Sequence, residues 1–209
     1  MGTPHSKKAL VYAQVRRELQ SGRYPPGQRI DPATLEKELK VSQTPVRAAL
    51  HRLVGEGVII DHARGGLQVP LPSEVALHEL YDIMERLLLM ACDIGFNAPV
   101  RRPSAFELPT HDIDVPKSTW QLFNAIALSS GHRLLHQTIK RHNDRLAPIR
   151  RAKSGLLDHA LEELTELSAL WQRQESEALR DAIHAYHARR KQLVPRIVAL
   201  LIDRRDGVP

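Results

Sequence analysis

The sequence predicts a mainly α-helical protein in two parts: an N-terminal winged helix-turn-helix over residues 1–71 and a C-terminal all-helical bundle over residues 72–209. Three observations predict this. Apolar residues recur at helical spacing through most of the chain. Two short β-prone runs flank a glycine-containing loop near residue 64, and a proline-containing stretch, "VPLPS" at 69–73, separates the parts.

The first helix is carried by "KKALVYAQVRRELQSG", where Val11, Val15 and Leu19 share one face while Arg16, Arg17 and Glu18 are expected outside. Ser21-Gly22 ends it, and "YPPG" forms a rigid turn. A second, short helix opens with Asp31 as N-cap and Pro32 at its first position, where the missing N–H costs nothing. The third lies in "VSQTPVRAALHRLVGEGVI", residues 41–59, with Thr44 expected to cap it and Pro45 to start it. Val46, Ala49, Leu50, Leu53 and Val54 form its buried face; Thr44, Arg47, Ala48 and His51 look outward. The runs "VII" and "LQV" around "DHARGG" then predict a hairpin, the wing.

Beyond the linker, Ser73 caps a long helix whose apolar face includes Leu77, Leu80, Met84, Leu88 and Ala91. Residues 97–117 hold four prolines and are expected to be loop. Helical patterning resumes at "TWQLFNAIALSS" and continues to residue 205, with Pro195 dividing the last helix.

Charge is unevenly distributed. Residues 1–70 hold 11 Lys/Arg against 6 Asp/Glu, so they carry +5 of the net +6 and suit an anionic polymer as partner. In the bundle, 140–153 is basic and 158–177 acidic. Complementary solvated helix faces are the plain reading, and a dimer contact the sharper one. The single cysteine, Cys92, sits in an apolar run and is expected to be buried and inert. There is no signal-peptide core and no apolar stretch of membrane-spanning length, so the chain is expected in the cytoplasm. The Met-Gly-x-x-x-Ser start is too short a match to predict myristoylation. No P-loop, Gly-x-Ser-x-Gly elbow or activated cysteine supports an enzyme.

The segments "GRYPPGQRI", "VSQTPVRAALHRLVGEGVI" and "RGGLQVPL" resemble the DNA-binding half of GntR-family bacterial transcription regulators, and the helical half resembles the FCD effector domain of the FadR subfamily. The resemblance implies a homodimer on a palindromic double-stranded operator, with the third helix in the major groove and the wing in the minor groove. It places Ser42, Gln43, Thr44 and Arg47 on the recognition helix, where Gln43 stands in place of the usual Arg or Lys and Ala48 in place of a common Glu. Arg52, and on the wing His62, Arg64, Gly65 and Gly66, complete the candidate DNA contacts. Arginine bonds guanine O6 and N7 in bidentate fashion, and hydroxyls at a helix start suit phosphate.

The resemblance also implies a metal held by one Asp and three His in the helical domain. Those positions fall on Thr119 and Phe123 (or Trp120 and Asn124 after a one-residue shift) and near Thr165, leaving His187 as the one matching ligand. No cofactor is therefore expected. The pairs His132/His136 and His184/His187, at i,i+4 and i,i+3, keep another divalent-metal site open. An arginine common in the first helix of that domain is Met84 here, which favours an apolar ligand or a purely dimerising role. The expected function is a sequence-specific transcription regulator, a repressor controlled by a small-molecule effector. The alternative is a ligand-independent dimeric DNA-binding or scaffold protein.

Overall fold

A computed structural model describes residues 7–62, 66–97 and 106–206. The first unit contains α1 (Lys7–Ser21), α2 (Pro32–Leu39), α3 (Gln43–Gly55) and the strands β1 (Ile60–His62) and β2 (Gly66–Gln68). Val11, Val15, Leu19, Leu35, Val46, Leu50, Leu53 and Ile59 are buried together, so α1, α2 and α3 close one small core. Asp31 caps α2 as its sequence indicates, accepting from the N–H groups of Ala33 and Thr34 at 3.1 Å each. β1 and β2 pair antiparallel with Ile60 opposite Gln68. Val58 and Ile59 precede the strand and fill the core instead. The α1–α2 connection adds a third strip: Ile30 N–H donates to Leu67 O, Gly27 N–H to Val69 O, and Val69 N–H to Gln28 O. This strip fastens the wing to the helices.

The second unit contains α4 (Glu74–Phe96), α5 (Val115–Ser129), α6 (Arg133–Ala152), α7 (Ala160–Arg173), α8 (Ser176–Gln192) and α9 (Val194–Asp206). Ser73 caps α4, its hydroxyl accepting from Ala76 N–H. α4 runs through the bundle and touches α5, α6, α8 and α9, burying Leu77, Tyr81, Met84 and Leu88 completely or nearly so. Cys92 lies in the same core, where burial pushes its thiol pKa up to about 12, so it is an inert apolar group. The helix breaks at Leu193, and Pro195 lies in the first turn of α9, as its position predicts.

Four expectations need correction. α5 begins at Val115, capped by Asp114, because Pro116 is tolerated in a first turn; the loop therefore ends earlier than its prolines suggest. α3 begins at Gln43 with Ser42, not Thr44, at the N-cap. Arg16 and Glu18 are not outside: Glu18 is buried, and Arg16 is covered by α6. The opposite charges of 140–153 and 158–177 are solvated only in part: Arg141, Arg145, Asp158, Glu162, Glu166, Glu175 and Glu177 are exposed, but Arg150, Lys153 and Glu163 are buried, and Glu163 pairs with Arg189 and Arg190 of α8.

The two units meet along α1 and α6. Gly22, at φ +86°, follows the end of α1 against Arg151, whose Cγ would lie 2.3 Å from an added Cβ. Only glycine fits both the backbone conformation and the approach.

Candidate nucleic-acid interface

The α2–α3 connection is short. Lys40 adopts a left-handed conformation, φ 51°, to end α2, and Ser42 is extended before α3. Beyond them the buried face of α3 is pinned by Val46, Ala49, Leu50 and Leu53. Periodicity then drives Ser42, Gln43, Thr44 and Arg47 to the surface, and all four are exposed. The Ser42 side chain makes no capping bond, so its hydroxyl and the first-turn N–H groups of α3 remain available. Among the described residues, Arg47 has no ion pair. A positive helix end with free donors and an uncommitted guanidinium can meet a phosphate and a base edge together.

Arg52 is tied to α1. Its guanidinium carbon lies 3.9 Å from the Tyr12 ring centre, and its Nε donates to Glu56 Oε1 at 3.0 Å. Tyr12 Oη donates to the other oxygen of Glu56 at 2.7 Å. Burial, together with that bond to Glu56, pushes the Tyr12 pKa up to about 12, which keeps it the donor. These three residues form a clasp between α1 and α3, and Arg52 is not part of the exposed row at the start of α3.

On the wing, His62 and Gly66 face each other across the hairpin and are exposed. Gly66 has φ +68°, so glycine suits this end of the hairpin. Arg64 and Gly65 lie outside the described residues. Two exposed cations were not among the expected contacts: Lys40 ends α2, three residues before the start of α3, and Arg29 bridges Gln68 beside the wing. The sequence signal for Lys40 is a cation directly before "VSQTP"; Arg29 is placed by the strip-to-wing pairing, which periodicity does not reveal.

The helical domain does not fit the metal that the resemblance implies. Phe123 and His187 stack with ring centres 5.9 Å apart, so an apolar ring occupies a ligand position. His187 Nδ1 is hydrogen-bonded to Ile183 O at 2.8 Å, and complete burial lowers its pKa to about 3. Thr119 is buried and bonded to Val115 O, whereas Thr165 is exposed and bonded to Leu161 O. After the one-residue shift, Trp120 bonds to Asp144, and Asn124 to His136. His184 turns to Glu85 at 2.6 Å, away from His187. Among the described residues, no three His, Cys, Asp or Glu side chains gather to hold an ion.

The family model for bacterial regulatory proteins of the gntR family matches residues 7–69. Over those residues the chain is similar to gntR-family regulators. The Nta operon transcriptional regulator of Aminobacter aminovorans is 40% identical over 58 residues, a stretch covering 28% of this chain and 28% of that protein. Two solved structures extend the likeness to the fold of both units. E. coli McbR/YncC superposes with TM-score 0.68 at 20% identity, covering 91% of this chain and 98% of its own. A protein named as a transcriptional regulator GntR from Rhodococcus sp. RHA1 gives TM-score 0.70 at 15% identity, covering 90% and 97%. The matched family model, the Nta operon protein and the Rhodococcus protein are named as regulators. Among the described residues no helix is long and apolar enough to cross a membrane.

Proposed function

We propose that this protein is a sequence-specific, DNA-binding transcription regulator of the FadR subfamily, a homodimer on a palindromic operator. It acts as a repressor whose FCD-type helical domain answers to a small-molecule effector. The observation that carries this reading is the exposed row Ser42, Gln43, Thr44 and Arg47, free at the N-terminus of a helix whose other face is fixed in the core. Arg47 supplies a fork for guanine, Gln43 pairs with adenine, and Ser42 with the first-turn N–H groups holds a phosphate. Lys40 and Arg29 add sequence-independent backbone contacts. The wing, with His62 and Gly66 at its end, reaches the neighbouring groove. The general dimeric habit of GntR regulators supports the paired half-sites.

Control by an effector is a population shift. A ligand that prefers one packing of the bundle changes how α6 holds α1, and α1 carries α3. Operator affinity then changes by the ligand's differential affinity for the two packings. Selection of bound duplexes from a random pool tests the reading: a palindromic consensus is expected, and a pool that stays random contradicts it.

A further inference from the structure

Across much of the bundle surface, charges are paired between helices: Lys191 of α8 meets Asp82 and Glu85 of α4, and Arg180 meets Asp93. The outer face of α6 departs from this. Asp144 is the sole acidic residue of that helix, and it is buried and taken by Arg16. Leu134, Arg141 and Arg145 follow one another at steps of seven and four residues, which sets them on one line of the helix. All three are exposed, Leu134 to 75%. Among the described residues neither arginine has an ion pair.

α7 shows the opposite sign. Glu162 and Glu166, one helical turn apart, are exposed beside Leu161, which is 43% exposed. Among the described residues Glu162 reaches His159 alone, at 3.9 Å, and Glu166 has no ion pair. Arg173 is the sole cation of α7 and stands in its last turn, 3.9 Å from Glu175. Each helix therefore presents a leucine among uncompensated charges of one sign, and the two signs are opposite. α5 packs against both α6 and α7, which barely touch each other, so the two helices lie on different flanks of α5. The two faces do not neutralise each other within one copy.

We propose that the face of α6 formed by Leu134, Arg141 and Arg145 docks on the face of α7 formed by Leu161, Glu162 and Glu166 in a second copy of this chain. Opposite potentials steer the two faces together, and the leucines supply the apolar contact between them. An unrelated acidic partner would answer the α6 face and leave the α7 acids unmatched; a second copy answers both. The contact joins two different surfaces, so a copy whose α6 face is occupied still offers its α7 face to another. Assembly therefore continues past the dimer. Exposed ion pairs contribute little each and are screened by salt, so the contact is weak and transient in free solution. On DNA it gains strength, because copies on neighbouring operators are held at a high effective concentration and fill those sites cooperatively. That consequence rests on the DNA-binding reading; the contact itself does not.

Sedimentation velocity of the nuclease-treated full chain, over a range of protein concentrations, tests this. Species larger than a dimer are expected at about 0.05 M salt, with the association constant falling roughly tenfold or more at about 0.5 M. Two double variants reverse one face each: Arg141→Glu with Arg145→Glu, and Glu162→Lys with Glu166→Lys. Each alone sets like charge against like and is expected to stop at the dimer. Mixed together they are expected to assemble again, because the α6 face of either variant then meets an opposite α7 face on the other. Both keep a positive net charge, +2 and +10 in place of +6, so mixing adds no overall attraction. The four substituted side chains are exposed, and unchanged melting temperatures check that both variants fold. A wild type that forms nothing larger than a dimer at low salt, or assembly that vanishes with nuclease because nucleic acid bridged the copies, would overturn the proposal. So would variants that assemble like the wild type, or a mixture that fails to recover. Duplex binding by the same preparation separates the two readings. DNA binding without assembly removes only the contact, whereas assembly without DNA binding removes only the regulator.

Discussion

Arg16 on α1 places its Nη2 2.7 Å from Asp144 Oδ1 and 2.6 Å from Oδ2, joining the DNA-binding unit to α6 of the bundle. Asp144 is 3% exposed and also accepts from Gln20 Nε2 at 3.0 Å and from Trp120 Nε1 at 2.9 Å. Arg16 lies over the Trp120 ring, 5.5 Å from its centre. One carboxylate thus collects donors from α1 and α5 while standing on α6.

Removing that charge strands a covered guanidinium. Asp144→Asn is expected to cost about 3 kcal/mol, the lower end for breaking a buried ion pair by removing one partner. Urea unfolding measures it, and the two units should then unfold in separate steps. A single unshifted transition would show that Arg16 and Asp144 do not hold the units together.

Gly22 offers a second test of the same junction. Gly22→Ala places a Cβ 2.3 Å from Arg151 Cγ on a backbone at φ +86°. A loss of at least about 1 kcal/mol in thermal unfolding is expected from the backbone alone.

The local signals of the chain were legible, and the long-range ones were not. Asp31-Pro32, Ser73 and Pro195 announce helix boundaries because capping and proline geometry act within one turn. The exposed row on α3 was legible for the same reason, through its apolar spacing. Arg16 looked like a solvated charge because its partner lies 128 positions away on another unit. The contact of Arg52 with Tyr12 was not legible, because nothing in the sequence brings that ring over it. The buried cations were hidden most deeply, since Arg150 and Arg190 come from different helices and each alone resembles surface charge.

Arg52 is expected to act on stability rather than on base choice. Arg52→Ala removes one cation–π contact and one i,i+4 pair, together roughly 1 kcal/mol at a partly exposed site. Denaturant unfolding should report that loss while the sequence selected from a random pool stays the same. A changed consensus would return Arg52 to the interface.

The buried imidazole gives an acid-sensitive term. His187 has its pKa lowered from 6.5 to about 3, by burial first and then by Arg190, Arg150 and Lys191. Its neutral form is the folded one, so its contribution is fully present above pH 6.5 and is lost as pH falls towards 3. The rings packed against it are Phe123 on α5 and Tyr186 on its own helix, and the charged groups acting on it are Arg190, Arg150 and Lys191. His187→Phe should flatten the fall in melting temperature between these pH values. An unchanged slope would place the acid sensitivity elsewhere, for example at Asp114, held below its usual range by Arg151 despite opposing desolvation.

Gln43 is expected to set the operator apart from those read by relatives with a cation at this position. Gln43→Arg should move the preferred base at one position of each half-site from adenine towards guanine, by roughly 1–3 kcal/mol of discrimination. Selection with the variant reads this directly.

The central claim, that the exposed start of α3 reads DNA, is tested most directly by fluorescence anisotropy of a selected duplex and a scrambled one with full-length wild type and Arg47→Ala. The wild type should prefer the selected duplex, with log affinity falling by about 0.9 per neutralised phosphate for each tenfold rise in salt. Arg47→Ala should weaken the selected duplex about 5- to 150-fold and the scrambled one far less. Equal affinity of the wild type for both duplexes, or an Arg47→Ala variant that binds the selected duplex undiminished, would contradict it.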